Sequence, residues 1–432
     1  MLVIAPNGVH RNWITDEIPA HLPDIVSNET MAFYYQTSKS QTKWHQAACR
    51  EFLRHPNFKI LAISYSAFMT KRGKEFVWDF IKPLDGKLLY VLDESARIKT
   101  PRAKRTRSII LSGRYANYKR ILTGTPVANS PFDVYSQVRF LDKEFWARLH
   151  LPTFTVFKSY FGVFEESFNR KINQSYKVLL AYKELDKLNG LITSISSRVT
   201  KDEVLDLPPK LYSKRYVELS SEQMDAYQRL REEYMILLEG GEEVTAILAV
   251  TRILRLQQIV NGYVGTDDEK IKHLFEKPED NPRLKLLGEI CEDVPHKAII
   301  WARFQEDITQ ICSMFGPQAV RYDGRTKDAD RAAAIEGFQR GDIKFFVGNP
   351  AAAGEGLTLH AARTVIYYSN SFKLTDRLQS EDRAHRIGTK HPVHYIDLVA
   401  EGTVDERIVR ALINKLDVAS MVVGDAFREW IR

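Results

Sequence analysis

Two adjacent acids, Asp93 and Glu94, end the apolar run Leu88 to Leu92 in "KLLYVLDESARIKT". A run of that length bounded by polar residues reads as a buried strand of a parallel sheet. Parallel strands present ligand-handling groups at their carboxyl ends. Carboxylates there suit a hard cation, since Mg²⁺ is usually held by one or two acids together with phosphate oxygens and water. The second acid is then placed to orient and deprotonate an attacking water. Taken alone, such a pair is more often a cap or a solvated pair of acids.

Other stretches extend the pattern. "LTGTP" (122–126) ends a second apolar run, with Gly124 permitting close backbone approach and the hydroxyls of Thr123 and Thr125 able to relay contacts between loops. In "QSEDRAHRIG" (379–388) Arg383 and Arg386 are three apart, so on a helix they project from one face, which Gln379 shares. Paired guanidiniums suit a phosphate chain, and an arginine aimed at a transferring phosphoryl group contributes about 10³–10⁵ in rate. A surface helix braced by Glu381 and Asp382 is the plainer reading of the same residues. "GEGLTLHAA" (354–362) adds a loop spaced by Gly354 and Gly356.

The elements that must position these groups follow from hydrophobic patterning. Apolar runs at "MLVIAP" (1–6), "FKILAISYSAF" (58–68), "LLYVLDE" (88–94) and "KRILTGTP" (119–126) alternate with turns and helical stretches. This predicts an α/β domain with a parallel sheet over residues 1–142. The theme returns at "KAIIWARF", "IKFFVGNP", "TVIYYSNS" and "VHYIDLVAEGT", predicting a second α/β domain over 291–403. Between them, 143–200 reads as an aromatic-rich helical insertion and 201–290 as a linker followed by a second helical insertion. Pro208 and Pro209 exclude helix from "TKDEVLDLPPK", and Ser220 or Ser221 caps the helix that follows. Residues 404–432 read as a C-terminal helical segment.

Length and composition bound the class. A chain of 432 residues predicts two or three domains, and 44% hydrophobic with 27% charged residues fits a soluble globular protein. No apolar run approaches a membrane span, and the N-terminal stretch has no basic leader or small-residue cleavage site, so a cytoplasmic location is expected. Cys49, Cys291 and Cys312 are widely spaced, which argues against zinc and against a disulfide framework. A net charge of +7 permits a polyanionic partner without requiring one.

Taken in order, these segments resemble the motifs of helicase superfamily 2, specifically its SNF2 branch of DNA translocases. "APNGVHRNW" is similar to motif Ia, "SYSAF" to Ib, "DESA" to II and "LTGTPVAN" to III. "IIWARF" is similar to motif IV, "GEGLTLHAA" to V and "QSEDRAHRIGTKHPVHYIDLVAEGTVDERI" to VI with its flank. The resemblance implies two RecA-like α/β domains with SNF2-type helical insertions, ATP and Mg²⁺ as cofactors, and double-stranded DNA as partner. Carried over by residue, Asp93 would hold Mg²⁺ and Glu94 would activate water. Arg383 and Arg386 would reach the triphosphate with Gln379 nearby, and Gly354, Gly356, Thr123 and Thr125 would lie at the nucleotide. Asn7, Arg11, Asn12, Ser64, Tyr65, Arg325 and Thr326 would lie towards the DNA backbone, where contacts give affinity without base specificity.

Three departures from the family pattern stand out. Ala96 occupies the position where histidine is usual, so coupling between motifs II and III is expected to differ. "SNSFKLTDRLQ" is closer to bacterial and phage members, which implies the cytoplasm of a bacterial or phage-infected cell. No G-x-x-x-x-G-K-[ST] occurs: Gly73-Lys74 precedes Glu75, and Gly86-Lys87 precedes Leu88. In the family that phosphate loop lies upstream of motif Ia, within a strand–loop–helix unit of ~30 residues. The expectation is therefore an incomplete nucleotide site and weak turnover, with "MLVIAP" left at an unpaired sheet edge. The loop would come from a missing N-terminal segment or a separate chain. The alternative is an ATPase-dead DNA-binding or scaffolding protein that retains the fold.

Overall fold

The computed structural model describes residues 1–23, 29–169, 174–239, 246–265, 270–352 and 357–423. The chain forms two compact units, the first chiefly Met1–Glu165 with Val178–Ile195, the second chiefly Ser196–Ser420.

The first unit is built on five strands: β1 (Leu2–Ala5), β2 (Met31–Tyr34), β3 (Lys59–Ser64), β4 (Gly86–Asp93) and β5 (Ala116–Leu122). Their order is β2-β3-β1-β4-β5 and every pairing is parallel. The apolar runs of the sequence thus become strands as expected, with β2 an addition that its short run "MAFY" did not announce. One expectation is overturned. β1 is not an edge strand; it is central, with Val3 opposite Ala62 on one side and Val91 on the other. Its four residues are fully buried, each large side chain contributing roughly 1.5–3 kcal/mol. The strand is apolar because both of its faces are covered.

The helices divide between the two faces of this sheet. Lys43–Arg54, Lys71–Ile81, Lys104–Ser112 and Val134–Leu141 supply Phe52, Phe76, Val77, Phe80, Ile109 and Phe140 to one core. Val9, Trp13 and Ile14 cover Val3, Ala5, Ala62 and Val91 on the other. Thr42 and Thr70 cap two of the helices through the backbone N–H groups of His45 and Gly73. Neither glycine–lysine pair forms a phosphate loop: Gly73 sits inside a helix against the Ala67 carbonyl, and Gly86 opens β4.

The predicted helical insertion at 143–200 contains strands. β6 (Gly162–Asn169) and β7 (Gln174–Tyr182) pair as a hairpin between short helices. The alternating residues of "QSYKVLLAY" leave Tyr176, Val178 and Leu180 exposed on a two-stranded ribbon, a pattern that an aromatic count does not separate from helix.

The second unit is a six-stranded parallel sheet of β8 (Lys210–Val217), β11 (Ala298–Trp301), β12 (Ala319–Tyr322), β13 (Phe345–Gly348), β14 (Thr364–Tyr367) and β15 (Val393–Ala400). The order is β12-β13-β11-β14-β15-β8. β8 corrects the 201–290 boundary, because the chain joins the second sheet directly after Pro209, pairing Lys210 with Val393. As an edge strand it is half polar, which hid it among the linker residues. β9 (Tyr263–Gly265) and β10 (Ile271–His273) form a small antiparallel hairpin. Ser220 is the cap of the helix Ser221–Glu239, accepting from the Gln223 N–H. The C-terminal helix spans Val404–Val423.

Candidate nucleotide and nucleic-acid sites

In the first unit the carboxyl ends of β1, β3, β4 and β5 bring together Asn7, Ser64, Tyr65, Asp93, Glu94 and the Thr123–Thr125 loop. Asp93 is half-buried at the end of β4. Its Oδ2 accepts from the Trp13 indole N–H over 2.9 Å, and its main-chain carbonyl accepts from the Tyr65 hydroxyl over 2.8 Å. Burial pushes the Asp93 carboxyl above its ordinary range, and the Trp13 N–H pulls it part of the way back. Glu94 follows in left-handed backbone, φ 51 and ψ 56, a costly conformation for a non-glycine residue and one that recurs at functional sites.

The segments of motifs II and III are linked through Gln137, a residue outside both motifs. Ser95 donates to Gln137 Oε1 over 2.7 Å, and Gln137 Nε2 donates to the carbonyls of Pro126 and Asp133. Ser95 and Gln137 are both buried. The acid loop and the Thr-Gly-Thr-Pro loop are thus tied by one amide on the Val134–Leu141 helix. A glutamine inside the apolar stretch "VYSQVRFL" was the available signal. Trp13 was also missed, although it closes the quoted "APNGVHRNW".

Within the second loop, Thr123 Oγ1 accepts from the Thr125 N–H over 3.1 Å. Thr125 Oγ1 is buried with no hydrogen-bond partner in the protein, which is an orphan acceptor and donor at the sheet's carboxyl end. A Cβ at Gly124 would meet open space, so the glycine answers no steric demand from the protein itself.

The residues carried over to the DNA side fall into two groups. Asn7, Arg11 and Asn12 are exposed on the turn and helix after β1. Ser64 and Tyr65 are buried instead: Ser64 Oγ caps the next helix at the Ala67 N–H, and the Tyr65 hydroxyl is engaged with Asp93.

In the second unit the helix Leu374–Ala384 carries Gln379, half-buried, and Arg383, buried. The helix ends before Arg386, which lies in the turn completed by Gly388 at φ 99, so the two arginines do not share a helical face. They converge all the same, each donating through Nη1 to the Leu357 carbonyl over 3.3 Å, with Arg386 also reaching Thr358 Oγ1. Gly354 and Gly356 lie outside the described residues. Arg325 is exposed, while the Thr326 hydroxyl closes its own loop on the Asp323 N–H.

The arginine helix is held by a buried ion network that makes Glu381 an interior residue rather than a surface brace. Arg377 pairs with Asp397 and Glu381, and Glu381 also accepts from Lys210 and Tyr212 of β8. His385 binds the Pro208 carbonyl, so the predicted linker docks directly on this helix.

A family model described as SNF2-related domain matches residues 1–263, and one described as helicase conserved C-terminal domain matches residues 282–388. A probable chromatin-remodeling complex ATPase chain of Oryza sativa subsp. japonica is 26% identical over 439 residues, covering 98% of this chain and 36% of the relative. The human SWI/SNF-related matrix-associated actin-dependent regulator of chromatin subfamily A member 1 is 27% identical over 440 residues, covering 98% and 38%. The chain thus spans little more than a third of the length of these relatives. A solved Sulfolobus solfataricus SWI2/SNF2 ATPase core in complex with dsDNA is 22% identical, covers 99% of this chain and 86% of that one, and superposes with a TM-score of 0.39. With one model matching more than half of its residues and both parallel sheets in place, the chain belongs to the SNF2-related family and has two RecA-like α/β units.

Proposed function

We propose that this chain is the core of an ATP-dependent translocase on double-stranded DNA, in which Asp93 holds Mg²⁺ and Glu94 activates water. The observation that carries the reading is the Asp93–Glu94 corner. The Asp93 carboxylate accepts from Trp13, its main-chain carbonyl accepts from Tyr65, and the next residue is turned aside by left-handed backbone. Among the described residues no group of three or more His, Cys, Asp or Glu could hold a metal ion. That fits an ion arriving with nucleotide phosphates, as Mg²⁺ commonly does, rather than a resident protein-caged metal. The orphan Thr125 hydroxyl supports a polar ligand at the same sheet end. Arg383 and Arg386 are the phosphate-binding pair of the second unit, and Asn7, Arg11, Asn12 and Arg325 contact the DNA backbone.

Among the described residues neither glycine–lysine pair forms a phosphate loop, and β5 is the strand beside which one would enter. β5 is the outer strand of its sheet, and Tyr118 and Leu122 on one face are 64% and 43% exposed. All-parallel sheets normally cover both faces. Crossovers leading towards β5 place their helices on the face of Phe52, Phe76 and Ile109, whereas the crossover from β1 to β2 leads away and places Val9, Trp13 and Ile14 on the other. A strand beyond β5 returning to β1 also leads away, so the right-handed rule puts its helix on that second face, over Tyr118 and Leu122. Its loop would open beside Thr123–Thr125. Supplying a strand–glycine-rich loop–helix segment ahead of Met1, or as a separate chain, should therefore raise DNA-stimulated ATP hydrolysis from near zero, and Glu94→Gln should abolish it. Failure of every such segment to produce turnover would favour the second reading, a DNA-binding scaffold that retains the fold.

A further inference from the structure

Trp13 links two surfaces that the motif pattern treats separately. Its indole N–H, the only polar atom of the side chain, is committed to Asp93 eighty positions away in sequence. Its immediate neighbours Arg11 and Asn12 are exposed on the same helical run, while Trp13 and Ile14 lie against the sheet. One short run therefore offers cation and amide outward and grips the acid of β4 inward.

The helical run is also irregular at that residue. Val9–Asn12 is α-helical, Trp13–Glu17 forms a π-helical turn in which the Ile18 N–H reaches the Trp13 carbonyl, and Ile18–His21 returns to α. Pro19 has no N–H to give to Thr15, which removes one α-type bond and accounts for the wider turn. Single π turns are uncommon and concentrate at functional sites. They also have a neighbouring regular state, because one residue of helix corresponds to about 1.5 Å of rise and about 100° of rotation. Tightening this turn would rotate the segment before it and carry the indole off the carboxylate. Asp93 has its main chain pinned by Tyr65, so its carboxylate is the part left to respond.

We infer that Trp13 is a positioning residue that transmits duplex binding at Arg11 and Asn12 to the Asp93 carboxylate through the π turn. The inference rests on the duplex-binding reading above. By linkage, anything held by that carboxylate shifts duplex affinity by the same factor that duplex shifts its own affinity, a factor that is typically about 5–150 for coupled sites.

The experiment uses the 432-residue chain labelled with ¹⁵N-tryptophan. The Trp13 indole N–H signal is identified by its loss in Trp13→Phe, or by its displacement in Asp93→Ala should the first variant not fold. Duplex binding is followed in parallel by fluorescence anisotropy of a labelled blunt-ended duplex. We expect saturating duplex to move the Trp13 N–H signal in the wild type and not in Asp93→Ala, which removes the acceptor. Duplex that binds while the signal stays in place overturns the inference and leaves the duplex reading intact. A shift of equal size in Asp93→Ala also overturns it, since the indole would then report only proximity to DNA. No duplex binding at all sinks both.

Discussion

Ser95 and Gln137, forty-two residues apart, share a buried 2.7 Å hydrogen bond, and the same glutamine holds the Pro126 carbonyl at 2.8 Å. The acid loop and the Thr-Gly-Thr-Pro loop are therefore tied to each other through one side chain. Gln137→Leu would leave the Ser95 hydroxyl and the Pro126 carbonyl without this partner. At roughly 1–3 kcal/mol for a stranded buried group, an overall loss of about 2–4 kcal/mol is expected in urea unfolding. Gln137→Glu should be no better, because a carboxylate can accept from Ser95 but cannot donate to Pro126 or Asp133. Equal stability of Gln137→Leu and wild type would mean that the two loops are held by other contacts.

Glu94 is held at a position whose backbone favours glycine. Glu94→Gly should be neutral or stabilising by up to about 1 kcal/mol, since it relieves left-handed backbone strain. Glu94→Val should destabilise by about 1–3 kcal/mol, because a branched Cβ worsens the same strain. Thermal midpoints of the three proteins decide the matter. A Glu94→Gly variant clearly less stable than wild type would show that the carboxylate supports the fold rather than the chemistry.

Asp307 gives a pH signature to the second unit. It is fully buried and accepts from Asn261, Tyr263 and Ser369, and burial raises its pKa to about 6. A raised acid holds its proton more tightly in the folded state, so this group favours folding at low pH. Its contribution is lost as pH rises from about 4, the unfolded value, to about 6. The difference between wild type and Asp307→Asn should change by on the order of 3 kcal/mol across that window and be flat above it. A flat difference throughout would place the Asp307 proton affinity at its ordinary value.

Arg11 is exposed beside Asn7 and Asn12. Arg11→Ala should weaken binding to all duplex sequences alike and lower the magnitude of the salt slope by about 1, as expected for one lost phosphate contact. Anisotropy titrations at several salt concentrations on two unrelated duplexes test this. Loss confined to one of the two duplexes would contradict backbone recognition.

Most of the sheet framework was legible in the amino-acid sequence, because a strand buried on both faces must be apolar along its whole length. "MLVIAP", "LLYVLDE", "KAIIWARF" and "TVIYYSNS" all became strands for that reason. Half-exposed elements were not legible in the same way: β8 and the β6–β7 hairpin carry polar or mixed faces that resemble linker and helix. Strand order was also beyond reach. A run states that it is buried but not by which neighbours, so the central place of β1 and the open flank of β5 emerged only with the pairings. The acids and arginines could be picked out by type and spacing, since chemistry limits which residues serve. Their supports could not. Trp13, Tyr65 and Gln137 act through hydrogen bonds that include partners 80, 28 and 42 positions away, and nothing local in a chain encodes a contact of that range. The convergence of Arg383 and Arg386 on Leu357 was likewise settled by a helix that stops at Ala384 and a turn at Gly388, where helical spacing alone had placed both on one face.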